Sequence, residues 1–198
     1  MAATRGEWLR SAGMIAAIYI CPVVLVATGV IPFQWRFHVL ILMTLLAGSL
    51  ALFRRHSAIS LGLVLPRFWP LMGWSVIPPV ILTAAVTLSD LPHRQPTPGH
   101  LAFYVFFVFV LAPAQEFLYR SFLFAELRKI RIPPNAIVLA STVLFGFMHI
   151  IYKDLVTVLL TLAAGLIWSI VFNRTRKVYM VAASHAALGV AAILSGVI

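Results

Sequence analysis

The sequence is poor in acidic residues and in cysteine. Its 198 residues include 5 Asp and Glu against 15 Lys and Arg, and the only cysteine is Cys21. One cysteine excludes a disulfide within the chain and a cysteine-based metal motif, and Cys21, in an apolar run beside Pro22, is expected to be a packing residue. With 62% hydrophobic and 10% charged residues, the chain has more apolar surface than one water-soluble core can bury. This composition predicts a protein that lies in a lipid bilayer.

The sequence also shows no soluble domain, internal repeat or low-complexity tract. Its apolar runs predict one all-α domain over residues 1–198, a polytopic membrane helix bundle. A helix needs ~20 residues to cross the hydrocarbon, and seven runs come near this length, at about 8–31, 37–53, 70–89, 100–125, 135–152, 155–172 and 178–198. The stretch RRHSAISLGLVLPRFW, between the second and third runs, is expected to be a short interfacial segment. The first run is expected to be a retained helix, because it is too long for a signal core and lacks a clear cleavage site.

Lys and Arg are distributed unevenly between the two sides of the predicted bundle. Eleven lie on the side of the N-terminus, three lie on the opposite side, and Arg120 lies inside a predicted span. The positive-inside rule therefore predicts a cytoplasmic N-terminus and an external C-terminus. Topology and attraction to anionic lipid account for the basic excess, so we expect the lipid bilayer as a partner and no nucleic acid.

Four ionisable side chains fall well inside predicted spans: Glu116, Arg120, His149 and His185. Such groups are costly in a bilayer and often mark a functional site. Arg120 follows Glu116 by one helical turn, in the better order for an i, i+4 ion pair, so a purely structural pair is one explanation. A lone histidine in a membrane is commonly a hydrogen bond between helices. The other acidic residues are expected in or beside loops: Glu7, Asp90, Glu126 and Asp154.

The depths of three of these side chains allow them to share one polar cavity. At ~1.5 Å per residue, Glu116, His149 and His185 lie roughly 15, 21 and 10 Å from the cytoplasmic ends of their helices. If they converge, they would form a candidate hydrolytic site or a proton relay. A Zn²⁺ site with these ligands is a weaker alternative because no HExxH helix is present, and a proton-coupled transporter would need further midplane acids or broken helices. We therefore predict no metal and no cofactor.

Three short motifs occur in the order QEFLYR at residues 115–120, FGFMH at residues 145–149 and HAALG at residues 185–189. They resemble the EExxxR, FxxxH and HxxxN motifs of the CPBP family, the CAAX prenyl endopeptidase and bacteriocin-processing group of intramembrane proteases, over about residues 101–189. The resemblance implies a metal-free glutamate-type mechanism, in which a glutamate and a histidine activate water. A second histidine and an asparagine would form the oxyanion hole. By position, Glu116 and Arg120 match the second glutamate and the arginine. His149 matches the histidine at the water, and His185 matches the oxyanion histidine.

Two positions depart from the family's motifs. Gln115 stands where the first glutamate is expected, and an amide orients water but takes up no proton at neutral pH. Gly189 stands where the asparagine is expected, which removes a side-chain donor from the oxyanion hole. Adjacent helix residues point ~100° apart. Glu116 would therefore take over the role of the first glutamate only if the helix turns or Arg120 releases the carboxylate.

Two functions follow from the resemblance. The first is an intramembrane endopeptidase of the bacterial inner membrane that processes a leader, a sorting signal or a CAAX-like tail of a membrane-anchored or membrane-proximal peptide or protein. Glu116 would then be the base and Gln115 would orient the water or the oxyanion, while His149 and His185 would flank the carbonyl. The second is a catalytically inactive scaffold or regulator that binds a partner in the former active-site cavity. The site hypothesis requires that these side chains meet in one cavity.

Overall fold

The computed structural model describes residues 4–65 and 101–194, together with the isolated positions Gly73, Ile77, Ile81 and Ala84. No strand occurs among these residues, and the prediction of an all-α membrane bundle is confirmed. Five of the helices in this part of the chain are long and apolar enough to cross a membrane, and the sixth is shorter. We number them α1 (Arg5–Ala27), α2 (Phe33–Phe53), α3 (Leu101–Lys129), α4 (Pro134–Tyr152), α5 (Leu155–Thr175) and α6 (Val178–Leu194).

Some predictions lie beyond this description. The span predicted at about 70–89 lies outside the described residues apart from the isolated positions, so the count of seven spans stays a prediction. The single-domain assignment and the cytoplasmic N-terminus also stay predictions. Cys21 is exposed on α1, so the expectation that it packs in the interior is wrong.

Two π-helical turns accommodate prolines within α1 and α3. A proline lacks an N–H group and its ring clashes with the carbonyl four residues earlier. That carbonyl belongs to Ile18 in the case of Pro22 and to Phe109 in the case of Pro113. Each lies in a π-helical turn, Ala16–Ile20 in α1 and Phe107–Leu111 in α3. The wider turn gives the ring room, and the two helices continue through their prolines.

A third π-helical turn, Phe117–Phe122, lies where α3 contacts α1 and α4. Two of its backbone carbonyls accept hydrogen bonds from side chains of neighbouring helices. The Tyr19 hydroxyl on α1 donates to the carbonyl of Leu118 at 2.8 Å, and the Ser141 hydroxyl on α4 donates to the carbonyl of Tyr119 at 2.8 Å. Polar backbone groups in a bilayer need such partners. Every residue from 118 to 127 is buried, so α3 is packed on all sides at this level.

The α4–α5 hairpin sets the position of the end of α4. At Gly146 an added Cβ would lie 2.4 Å from Cδ2 of Leu162, so the glycine lets the two helices approach closely, as small residues do in membrane bundles. Lys153 then takes a left-handed conformation with φ of 55°. Asp154 caps α5 by accepting a hydrogen bond from the backbone N–H of Thr157 at 3.2 Å. The last turn of α4 is therefore held firmly against the bundle.

The segment after α2 packs onto the beginning of α6, as its described residues show. Residues 58–62 form turns in which Leu61 and Gly62 are buried. The backbone N–H of Val178 donates to the carbonyl of Gly62 at 3.1 Å. Gly62 has φ of 71°, and a Cβ there would lie 2.7 Å from the Phe172 ring. Residues 66–69 of the predicted interfacial segment lie outside the described residues.

Glu126 lies in the last turn of α3, beside the loop that follows, but the sequence did not predict that its side chain is buried. The helix α3 continues past Ala125 to Lys129, and Glu126 is only 1% exposed. Its carboxylate forms an ion pair with Arg54, and the His56 ring nitrogen Nε2 lies 2.7 Å from its Oε1. A buried carboxylate needs such partners to offset its loss of hydration. Glu126 therefore ties the end of α3 to the segment that follows α2.

Candidate active site

The predicted ion pair between Glu116 and Arg120 is present, and both side chains are fully buried. The guanidinium Nη1 donates to Glu116 Oε1 at 3.3 Å, and Nε lies 3.2 Å from Oε2. A further hydrogen bond joins Nη2 to the backbone carbonyl of Gly165 on α5 at 3.1 Å. A Cβ at Gly165 would lie 3.0 Å from Cδ1 of Phe145, so the glycine lets α5 pack closely against this ring. The arginine thus bridges α3 and α5.

His185 binds the same carboxylate from α6. Its Nδ1 lies 2.8 Å from Glu116 Oε1. A carboxylate paired with an arginine only accepts hydrogen bonds, so Nδ1 is the donor. The imidazole stacks on the Trp168 indole, with ring centroids 4.5 Å apart, and the indole Nε1 donates to the Ser184 hydroxyl at 3.0 Å. The position of His185 is therefore fixed by one polar and one aromatic contact.

Aromatic rings surround this buried network. The Arg120 guanidinium carbon lies 4.4 Å from the centroid of the Phe145 ring and 5.7 Å from that of Trp168. Cation–π attraction of this kind is strengthened by the absence of water. Together with the ion pair, it offsets the cost of burying a guanidinium in the centre of the bundle.

The other two predicted site residues, Gln115 and His149, line a separate cavity of about 60 Å³. Its walls are mostly apolar and come from the second half of α1, the first half of α2, the middle of α3 and the end of α4. Gln115 is 8% exposed, and its Oε1 has no hydrogen-bond partner among the described residues. A cavity of this size with polar groups on its wall has room for more than one water molecule.

His149 presents a hydrogen-bond acceptor to this cavity. Its Nδ1 lies 2.8 Å from the backbone carbonyl of Phe145, one turn earlier on α4. Because a carbonyl only accepts hydrogen bonds, Nδ1 carries the proton, and the lone pair of the neutral ring is on Nε2. The ring also stacks with Tyr152, with centroids 5.9 Å apart. Backbone and aromatic contacts therefore fix both the tautomer and the orientation of the imidazole.

The structure thus divides the predicted site into two groups. Glu116 and His185 do not line the cavity that Gln115 and His149 share. The geometric reason is that Gln115 and Glu116 are adjacent on a helix and point ~100° apart. The Phe145 ring contacts both imidazoles, with its centroid 4.9 Å from that of His149 and 5.6 Å from that of His185. The predicted residues are therefore close together, but Glu116 and His185 do not line the cavity that Gln115 and His149 share.

The separation of His149 from Glu116 and His185 argues against the zinc alternative. That alternative requires all three side chains to converge on one ion. Among the described residues, no group of three His, Cys, Asp or Glu side chains has the spacing of a metal site. The carboxylate is instead engaged by Arg120. The residues present do not form the ligand set that this alternative needs.

Gly189 lies against the ring of Phe107, a contact that the sequence motifs do not predict. A Cβ at this position would lie 2.3 Å from Cζ of Phe107. The Phe107 ring also contacts His185, with centroids 5.9 Å apart. The space beside His185 that an asparagine side chain would need is therefore filled by Phe107.

Comparison with known families agrees with the motifs. Residues 97–191, just under half of the chain, match a family described as type II CAAX prenyl endopeptidase Rce1-like. The matched segment contains the helices α3, α4 and α5, most of α6 and all of the candidate residues described above. No curated protein and no solved structure matches the chain.

Proposed function

Through residues 97–191 this chain belongs to the CPBP family of CAAX-protease-like membrane proteins, and from that premise we propose that it is an intramembrane endopeptidase acting on a membrane-anchored or membrane-proximal peptide. One observation carries the proposal. Gln115 and His149 line the same cavity, between helices long enough to cross a bilayer. Among the described residues Gln115 Oε1 has no hydrogen-bond partner, and the bond of His149 Nδ1 to the Phe145 carbonyl leaves Nε2 as the acceptor. This arrangement supplies an oriented acceptor and a base beside space for water.

The proposed reaction is hydrolysis with His149 as the general base. Nε2 of His149 takes a proton from a water molecule while the water oxygen bonds to the carbonyl carbon of the peptide. Gln115 holds the second hydrogen of the water with Oε1, and its amide group is a donor for the developing oxyanion. The C–N bond then breaks, and the proton on His149 passes to the leaving amine. The products are a carboxylic acid and an amine, which become a carboxylate and an ammonium group when the acid proton passes to the amine, and no redox partner is needed.

In this proposal Glu116, Arg120 and His185 position the reacting groups. Glu116 is fully buried, its Oε1 contacts both Arg120 and His185, and it lies outside the cavity. To act as a base it would have to leave the arginine, which is costly in a dry interior. The role of base that the sequence assigned to Glu116 stays a prediction. Our preference for His149 rests on its place in the cavity and on its free nitrogen.

The location of the cavity bears on the class of substrate. It lies at the end of the bundle where α1 ends, α2 begins and α4 ends. With the proposed cytoplasmic N-terminus, this end faces the outside of a bacterial inner membrane. A leader or sorting signal exposed on the outer side then fits better than a tail presented in the cytoplasm.

A second function, a peptide-binding scaffold without catalysis, has its own supporting observations. The cavity has an amide, Gln115, where the family has a carboxylate. Phe107 fills the space beside Gly189, and Nδ1 of His185 is engaged by Glu116. A site with these changes retains a pocket for a partner but has fewer groups to stabilise an oxyanion.

The test uses purified protein in liposomes with a library of N-palmitoylated peptides of randomised sequence, and mass spectrometry to identify cleavage products. We expect wild-type protein to cut a related subset of the peptides and the His149→Ala variant to cut none of them. His38→Ala is the matched control, because His38 is an exposed histidine on α2 outside the cavity. Identical product sets from wild type and a folded His149→Ala variant would contradict the proposal. Cleavage by the Gln115→Glu variant without any cleavage by wild-type protein would support the scaffold function.

A further inference from the structure

Arg36 is a cation on the wall of the Gln115–His149 cavity that the proposed reaction does not use. It begins the α-helical part of α2, Arg36–Phe53. The N-terminus of a helix carries partial positive charge, so a cation in the first turn is electrostatically unfavourable there. Its presence on a cavity wall at this position therefore needs an explanation.

The guanidinium of Arg36 is held in place by neutral groups. Its carbon lies 4.1 Å from the centroid of the Phe33 ring and 4.2 Å from that of Phe37. Its Nη1 donates to the backbone carbonyl of Phe33 at 3.1 Å. The two aromatic contacts and this bond orient the planar group before any ligand binds.

Arg36 has no acidic partner in the described part of the chain. The carboxylates of Glu116 and Glu126 pair with other basic residues, and within residues 4–65 and 101–194 no ion pair involves Arg36. Its Nε is buried and has no hydrogen-bond partner among the described residues. The described residues that line the cavity include no carboxylate and no other Lys or Arg. In this part of the wall, the guanidinium of Arg36 is thus an oriented positive charge with an unused donor among neutral groups.

We propose that Arg36 recognises a carboxylate on the peptide that enters this cavity and so determines which peptides bind. The planar fork of a guanidinium matches a carboxylate, and such charge-assisted bonds are stronger where water is excluded. The carboxylate is either the C-terminal group of the peptide or an Asp or Glu side chain. This inference rests on the proposed function only in that the cavity takes a peptide, and it does not require that the peptide is cut.

Binding of dansyl-labelled apolar hexapeptides to the protein in phosphatidylcholine nanodiscs tests the proposal. The probes are a peptide with a free C-terminal carboxylate, the same peptide with a C-terminal amide, and amidated peptides with one internal Asp or Asn. We expect wild-type protein to bind one of the carboxylate peptides about tenfold more tightly than its neutral counterpart, the size of one charge-assisted bond. The peptide that shows the preference identifies the source of the carboxylate.

Two variants separate recognition by Arg36 from general effects. Arg36→Gln should abolish the preference and leave the affinity of the neutral peptides unchanged, which also shows that the variant is folded. Arg174→Gln removes an exposed arginine near the end of α5, outside the cavity, and should preserve the preference. Equal binding of charged and neutral peptides to wild type, binding of none of them, or an unchanged preference in Arg36→Gln would overturn the inference. A carboxylate preference in a protein that cuts no peptide would refute proteolysis and leave this inference standing.

Discussion

His185 Nδ1 lies 2.8 Å from Glu116 Oε1, in the interior of the bundle. This contact joins α6 to α3, while Arg120 holds the other side of the same carboxylate and reaches α5. The next residue toward the N-terminus, Gln115, faces the cavity that contains His149. Two adjacent residues of α3 therefore serve different sites, one a buried charge network and the other a cavity wall.

The first prediction concerns the buried ion pair. Glu116→Gln should lower the free energy of unfolding by about 3–5 kcal/mol, because it leaves the Arg120 charge buried without its partner. The double variant Glu116→Gln with Arg120→Gln should be less destabilised than the sum of the single variants. Thermal unfolding in detergent, followed by tryptophan fluorescence, measures both. Additive effects of the two substitutions would show that the pair is not coupled.

The second prediction concerns the missing asparagine. Gly189→Asn should destabilise the protein by about 1–3 kcal/mol, because the new side chain overlaps the Phe107 ring. Adding Phe107→Ala should relieve the overlap and restore part of the stability. Gly48→Ala on α2 is the matched control, since nothing lies within 4 Å of the Cβ that it adds. A fully stable Gly189→Asn variant would show that Phe107 moves aside freely.

The third prediction concerns Glu126. Glu126→Gln should release the segment after α2, because Arg54 and His56 lose their charged partner. Trypsin should then cut the detergent-solubilised protein after Arg54 or Arg55 several-fold faster. Glu7→Gln, at an exposed carboxylate near the N-terminus, should leave this cleavage rate unchanged. The same trypsin sensitivity in wild type and Glu126→Gln would argue against a clamp at this position.

The fourth prediction concerns the π-helical turn at the centre of α3. Tyr19→Phe removes the hydroxyl that donates to the carbonyl of Leu118. The loss should cost about 1 kcal/mol, because it removes one buried hydrogen bond, while the carbonyl of Leu118 keeps its bond from the backbone N–H of Leu123. Tyr179→Phe, on the exposed face of α6, is the control and should have little effect. Chemical unfolding in mixed micelles gives the two values, and equal stability of both variants would exclude this role for Tyr19.

Local patterns in the sequence predicted the features that depend on neighbours along the chain. Apolar runs near the length of a bilayer predicted the spanning helices, because every backbone group in lipid must be bonded within its own segment. Spacing by four residues predicted the Glu116–Arg120 pair, which the structure contains. The three motifs predicted the family that the comparison supports.

Features that depend on contacts between distant segments were missed. The burial of Glu126 was not predicted because its partners, Arg54 and His56, are more than 65 residues away in the sequence. The one local clue is that no helix-breaking residue follows until Pro133, so α3 was free to continue past Ala125. The contact of Gly189 with Phe107 was not predicted, because Phe107 lies outside the three motifs.

The division of the site into two groups was also beyond the sequence. Estimates of depth place residues along a helix axis, but they do not give the direction in which each side chain points. That direction depends here on which partners Glu116 finds on α5 and α6, and on π-helical turns that alter the regular 3.6-residue repeat. The sequence predicted that Gln115 and Glu116 point apart, but the structure was needed to show which of them faces the cavity.

We propose that His149 is the base of a peptidase site that it shares with Gln115. The single-turnover cleavage rate of one peptide from the library, compared between wild type and His149→Ala at equal occupancy, tests this proposal. The rate should fall by at least about 100-fold in the variant, the usual contribution of a general base, with peptide binding unchanged. Equal rates in the two proteins would show that His149 is not the base.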